Sequence, residues 1–301
     1  MNTAALIKED MLLGRLVTGI AGSPKAVVAA IVCLILLLAA IFGPYLTPQD
    51  PYDLAVLDIL DSKLPPGSES MDGRVYWLGT DGQGRDMFSA MIYGLRTSLG
   101  VGVFSGLVAL IVGTVLGLTA AYFGGRIDAL IMRIVDLMLG LPTILVALML
   151  LALLGQGLWK VILALILVQW ATFARAVRSA ALVEKNKDYV EAARTLGLST
   201  PRILLGHLLP NCLPPLIVIG MLQVANAISA EATLSFLGIG LPITEPSLGL
   251  LIANGYQLLM SGEYWISVYP GVLLLVLVFS INIVGDRLRE VLNPRLNERG
   301  A

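Results

Sequence analysis

The sequence predicts an all-α integral membrane protein with six crossings, and three observations carry that expectation. Of the 301 residues, 57% are hydrophobic and 14% charged, against roughly 25% charged in an ordinary soluble domain. Uncharged runs of bilayer length recur along the chain. The Lys and Arg between those runs are uneven from one side to the other. A net charge of -1 argues against nucleic acid as a partner. Cys33 and Cys212 lie within or beside apolar runs, so neither a disulfide framework nor a metal-binding pair is expected.

Taken in order, residues 1–25 form an N-terminal segment with mixed charge and apolar Met11, Leu12, Leu16 and Ile20, which fits an interfacial helix or a loose tail. Ala26 to Phe42, seventeen uncharged residues, is the first crossing, and it begins too late and runs too long for a cleaved signal core. The Pro-, Gly- and Asp-rich stretch from Pro44 to Arg96 reads as an extramembrane loop. It ends in an amphipathic piece (Met87, Phe88, Met91, Ile92) expected to lie along the interface. The first crossing and this loop make one unit, 26–96, and the core, 97–290, carries five more crossings.

Within that core, Thr97 to Gly125 is the second crossing and Leu137 to Trp159 the third, with Pro142 near its start. Val161 to Ala174 is the fourth, lengthened by Lys160 and Arg175 reaching to opposite interfaces. The fifth runs from near Ile203 past Glu231 to Leu237. Ser247 to Ser261 is a Gly-rich apolar piece too short to cross, and Tyr264 to Gly285 is the sixth crossing. Asp286 begins the polar end of the chain, whose last part, 291–301, is a tail. Fifteen Lys and Arg fall on the side of both termini and five on the other, so the positive-inside rule places both termini in the cytoplasm. The chain has no obvious internal repeat, which removes support for an inverted-repeat carrier.

The longest polar segment between apolar blocks, Asp188 to Asn211, falls on the cytoplasmic side. Asp188 and Glu191 have capping-box spacing, which predicts a short helix from about Tyr189 to Leu196. Gly197 then stands where a left-handed residue ends a helix. Ser199 or Thr200 followed by Pro201 starts a second helix. The result is a bent knob on one membrane face.

Several polar positions inside the crossings invite chemistry. Gln223, Asn226, Ser229 and Thr233 share one stripe at 100° per residue, a candidate lining for a wet path, while Glu231 lies off it. An intramembrane acid is a functional candidate by default, and for Glu231 a helix-to-helix bond is the other reading. Gly102, Gly106, Gly113 and Gly117 share a helical face, suited to packing within this chain or to contact with a second subunit. The run Leu78 to Asp86, LGTDGQGRD, lacks the Lys-Ser/Thr ending of a phosphate loop, so ATP binding by this chain is not expected. His207 is the only histidine and reads as a helix-end residue; with no paired acids, a membrane enzyme has little to work with. A proton-coupled carrier using Glu231 is the remaining alternative class.

Glu191-Ala192-Ala193, then Gly197, then Leu209-Pro210 resembles the EAA loop of the membrane subunits of ABC importers, with His207 a departure from the apolar residue of the general pattern. GPYLTPQDP from Gly43, LGTDGQGRD with GLRTSL from Gly94, EATLSFLGIG from Glu231 and GDRLRE from Gly285 make nearly the whole chain similar to the C-type permease subunit of the dipeptide/oligopeptide/nickel importers. Tyr76, where a histidine is usual, and Leu248, where a tryptophan is usual, depart from that branch and bear on the solute.

The resemblance implies a type I ABC importer permease fold. It implies a coupling helix in which Tyr189, Glu191, Ala192, Ala193, Leu196, Gly197 and Pro201 dock on an ATPase, with Glu191 capping the helix. It implies a second, B-type permease subunit, one or two ATPase subunits holding ATP and Mg, and a periplasmic solute-binding protein. A place in a bacterial inner membrane and no cofactor or catalysis in this chain go with that set. Peptide is the implied cargo, with nickel chelate, glutathione or a small glycoside as alternatives.

Overall fold

The computed structural model describes residues 14–292 apart from 15, 16, 52, 54–56, 71 and 72. The expectations for Met11, Leu12 and Leu16, and for the tail beyond residue 292, lie outside the described residues. Among the described residues, five helices are long and apolar enough to cross a membrane, and one bent pair adds a sixth span if its halves are taken together.

Helix α1 (Pro24–Phe42) starts with proline in its first turn and gives way to a 3-10 turn at Gly43–Tyr45. Its small residues Ala26, Ala29 and Ala40 are buried while Ile31, Leu34, Ile35 and Leu38 are exposed, the distribution expected of a helix with one protein face and one lipid face. Helix α2 (Met87–Phe123) has 37 residues, about 55 Å at 1.5 Å per residue. The amphipathic piece at Met87 is therefore the first two turns of this helix, not a separate interfacial segment. Asp86 fixes that start, accepting bonds from the Ser89 amide (2.8 Å) and hydroxyl (2.6 Å).

The third crossing departs most from expectation. Instead of one helix from Leu137 to Trp159 there are two, α3 (Gly125–Gly140) and α4 (Thr143–Leu154), bent by 93°. The cause is local: Pro142 disfavours the α conformation in the residue before it, and Leu141 is extended at φ -102°, ψ 143°. With 12 residues, α4 spans about 18 Å, little over half a bilayer core. The amphipathic α3 is held to α5 (Leu158–Lys185), the helix after α4, by Asp128 with Arg178 (2.5 and 2.6 Å) and by Asp136 with Arg175.

Two short helices follow, α6 (Asp188–Thr195) and α7 (Thr200–Ile203), and a π turn at Leu204–Leu208 leads into α8 (Leu209–Phe236). Helix α9 (Leu248–Tyr256) has nine residues and, as predicted, does not cross; the Ser247 hydroxyl accepts from Leu250 N–H at its start. Helix α10 (Trp265–Leu292) closes the bundle against α9, α8 and α1.

The bundle is organised on α2, whose main partners are α5 and then α8. Its glycines explain the closeness. A Cβ at Gly102 would meet Ile228 at 2.5 Å, and one at Gly113 would meet the Trp170 carbonyl at 2.6 Å; Gly106 and Gly117 face Val224 and Val177 in the same way. All four are buried against this chain's own α8 and α5.

At the opposite end from α6, the loop before α2 folds on itself. A two-stranded ribbon, β1 (Ser68–Glu69) with β2 (Val75–Tyr76), and a bridge between Thr80 and Asp86 frame a buried polar cluster. Asp61 accepts from Tyr76 Oη (2.8 Å) and Ser70 Oγ (2.6 Å). Arg85 Nε donates to Asp81 at 2.7 Å, and Trp265 Nε1 reaches the Thr80 carbonyl at 3.1 Å. Gly79 has φ +79°, and a Cβ there would meet the Leu64 carbonyl at 2.6 Å. The run LGTDGQGRD is thus a tightly folded cap on the start of α2.

Candidate functional site

The knob from Asp188 onward is built on Gly197. At φ +71° it closes a Schellman motif, with Leu198 N–H bonding Ala193 C=O (3.1 Å) and Gly197 N–H bonding Arg194 C=O (2.9 Å). The other end of α6 corrects the sequence reading. Lys187, not Asp188, occupies the N-cap and no side chain caps it, so Glu191 does not close a capping box. Asp188 and Glu191 act instead as first-turn acids facing the helix dipole. Ser199 takes the N-cap backbone conformation for α7, with Pro201 in the first turn but no side-chain cap bond. His207 lies in the π turn, its Nδ1 3.2 Å from the Arg202 carbonyl.

The seven sequence-predicted residues divide between two faces. Ala193 is buried, and with its neighbour Val190, which the sequence reading did not single out, and with Ile203 and Leu208 it joins the core formed by Leu118, Ala121, Phe173, Val177, Cys212 and Leu216 of α2, α5 and α8. Tyr189 is half-buried and turns inward: its hydroxyl donates to Glu184 (2.7 Å) and accepts from Asn211 Nδ2 (3.2 Å). Burial, and then the Glu184 carboxylate, hold its phenol well above the usual tyrosine range. Glu191, Ala192, Leu196, Gly197 and Pro201 stay exposed, Leu196 at 78%.

Two further contacts tie the knob to the end of α2, and the sequence reading missed both. The Lys185 ammonium donates to the Ala121 and Tyr122 carbonyls (2.9 and 2.8 Å), capping the C-terminus of α2. Arg194 lies 5.2 Å from the Tyr122 ring centre. The signal lay in two basic residues on either side of the α5–α6 turn, but their target is distant in sequence. The knob is therefore an exposed apolar tip mounted on a base continuous with three long helices.

The second feature is a cleft of about 360 Å³ between α4, α5 and α8. All four stripe residues, Gln223, Asn226, Ser229 and Thr233, line it. Thr143, Gln169 and Thr172 complete its polar wall and were not singled out from the sequence. Glu231 is elsewhere, fully buried, accepting from Ser98 and Ser235 hydroxyls at 2.8 Å each and so joining α2 to α8.

A bundle of long apolar helices with a broken span, a stiffly mounted knob at one end and a polar cleft part-way along defines a membrane permease component. Residues 113–298 match the family described as binding-protein-dependent transport system inner membrane component, and the chain belongs to it. Residues 22–66 match the N-terminal TM domain of oligopeptide transport permease C. The chain is 37% identical over 271 residues to the dipeptide transport system permease protein DppC of Bacillus subtilis, covering 90% of this chain and 82% of that protein. It is 34% identical over 297 residues to the oligopeptide transport system permease protein OppC of the same organism, covering 99% and 92%. The probable D,D-dipeptide transport system permease protein DdpC of Escherichia coli is 36% identical, covering 93% and 91%. In fold, the chain superposes on a chain of an inward-facing MetNI methionine ABC transporter with TM-score 0.56 at 23% identity, over 68% of this chain and 97% of that one. The expected type I importer permease fold is thereby established.

Proposed function

We propose that this chain is one half of the translocation path of an ATP-driven peptide importer in a bacterial inner membrane, with both termini and α6 in the cytoplasm. It works with a B-type permease, one or two ABC ATPases that bind ATP and Mg, and a periplasmic solute-binding protein, and it carries no cofactor or catalytic group of its own. The observation that supports this reading most is the mounting of α6. Its tip, Leu196 with Ala192 and Gly197, is open to a partner groove, while its base shares a core with α2, α5 and α8. A load on the tip moves those helices together, because close-packed cores transmit displacement with little compression. Peptide as cargo follows the names of the relatives.

The proton-carrier alternative gains nothing from Glu231, which sits outside the cleft among serine hydroxyls. Coexpression with the candidate ATPases tests the proposal: the wild-type chain co-purifies with them and supports ATP-dependent peptide uptake in proteoliposomes. Uptake that persists without any ATPase would refute it.

A further inference from the structure

Helix α4 begins in mid-bundle, not at a membrane surface. Its first residues, Thr143 and Ile144, line the cleft together with Gln169 and Thr172, which stand near the middle of the 28-residue α5. The break at Pro142 leaves this helix start open. No side chain caps it, its first backbone bond runs from Val146 N–H to the Pro142 carbonyl, and the amides of Thr143, Ile144 and Leu145 have no partner among the described residues. Unpaired amides at that depth call for an acceptor, because hydrocarbon supplies none. With the helix dipole they give this corner of the cleft a positive character.

A second, independent feature points the same way. Gln169 is only 6% exposed, and its Oε1 is sealed in the wall without a donor, so the end it shows the cleft is its NH2 group. No hydrogen bond among the described residues takes up that donor, and an apolar side chain would fill the same space without leaving one unmet. The Thr143 and Thr172 hydroxyls also bond nothing among the described residues. Across the cleft, those of Ser229 and Thr233 are spent on the carbonyls of Ala225 (2.9 Å) and Ser229 (2.8 Å). The free hydroxyl protons therefore lie on the side of α4 and α5. No Asp, Glu, Lys or Arg lines the cleft, so nothing there repels an anion and no fixed cation traps one.

We infer that the N-terminus of α4, with Thr143, Gln169 and Thr172, receives the free carboxylate of the passing solute, which in a peptide is the C-terminal one. A helix dipole and neutral donors attract an anion yet let it leave, as a passage requires. The inference rests on the peptide reading above and adds the group that is recognised. The complete transporter, reconstituted with its permease partner, ATPases and binding protein, tests it with alanyl-alanine and alanyl-alaninamide, which lacks the carboxylate. Because one binding protein serves every variant, its own preference divides out of the comparison.

Wild type takes up the acid in preference to the amide. Gln169→Leu lowers the acid-to-amide ratio roughly tenfold, the worth of about one hydrogen bond to a charged group. Thr143→Asp lowers it further, since its own carboxylate occupies the helix start, and an acid in a first turn is compatible with a folded α4. Either variant with the wild-type ratio would overturn the inference alone. A wild-type transporter that moves a metal chelate or glycoside and no peptide would overturn the inference and the peptide reading together.

Discussion

The two ends of α2 use polar residues in opposite ways. At the loop end the charges turn inward: Asp61, Asp81, Arg85 and Asp86 are each at most 5% exposed and are paired with one another or with nearby hydroxyls and amides. At the α6 end the polar ties lie underneath, through Lys185, Glu184, Tyr189 and Asn211, while an apolar leucine is left on top. The first arrangement holds a helix start in place. The second holds a surface ready to be pushed.

Substitutions can break that contrast, and the largest expected effect is at the held end. Arg85→Ala leaves Asp81 buried without its partner, at a cost of about 3–5 kcal/mol, so thermal unfolding in detergent should show a sharply lowered Tm and poor assembly. An unchanged Tm would mean that the loop is not a structural cap. At the pushed end Leu196→Asp should leave Tm nearly unchanged and reduce ATP-driven uptake roughly 30- to 160-fold, the loss of a docking anchor worth about 2–3 kcal/mol. Uptake at the wild-type rate would remove α6 from coupling.

Smaller effects sharpen the same contrast. Tyr76→Phe removes a hydrogen bond to buried Asp61 and should cost about 1.5 kcal/mol. The Tyr76 phenol is pushed up to about 12 from an ordinary 10, by burial first and then by Asp61. Its raised value means that its contribution is complete below pH 10 and is lost as pH rises toward about 12. The Tm of wild type should therefore fall more steeply over that range than the Tm of Tyr76→Phe. Smallest of all, Gly197→Ala should cost about 1 kcal/mol for its left-handed backbone, and Gly197→Asn less. No atom lies within 4 Å of a Cβ placed there, so a much larger loss of Tm would contradict an open tip.

What could be read from the sequence follows the range of the forces involved. The Gly197 stop, the Pro201 start and the stripe from Gln223 to Thr233 are set by residues within a few turns of one another, and the structure has each where the pattern places it. The break at Leu141 also had a local signal, the proline after it, but the uncharged run through Leu154 outweighed that signal in a hydropathy reading. The capping box failed because its spacing is necessary but not sufficient: the chain enters α6 one residue earlier, at Lys187. Gln169 was passed over because a single amide in an apolar run has no periodicity. Only the fold brings it opposite Gln223 and Asn226.

The π turn at Leu204–Leu208 sets an angle as well as a bend. It closes with Leu209 N–H bonding Leu204 C=O, one residue wider than an α turn. Pro210 beyond it has no N–H, and Pro214 and Pro215 remove two more rungs from the start of α8. That extra residue turns everything after it by about 100° about the helix axis. The stripe facing Gln169 is thus clocked against the tip at Leu196 by a single surplus residue, and deleting one residue from the turn would swing the stripe out of the cleft while leaving the sequence of both untouched.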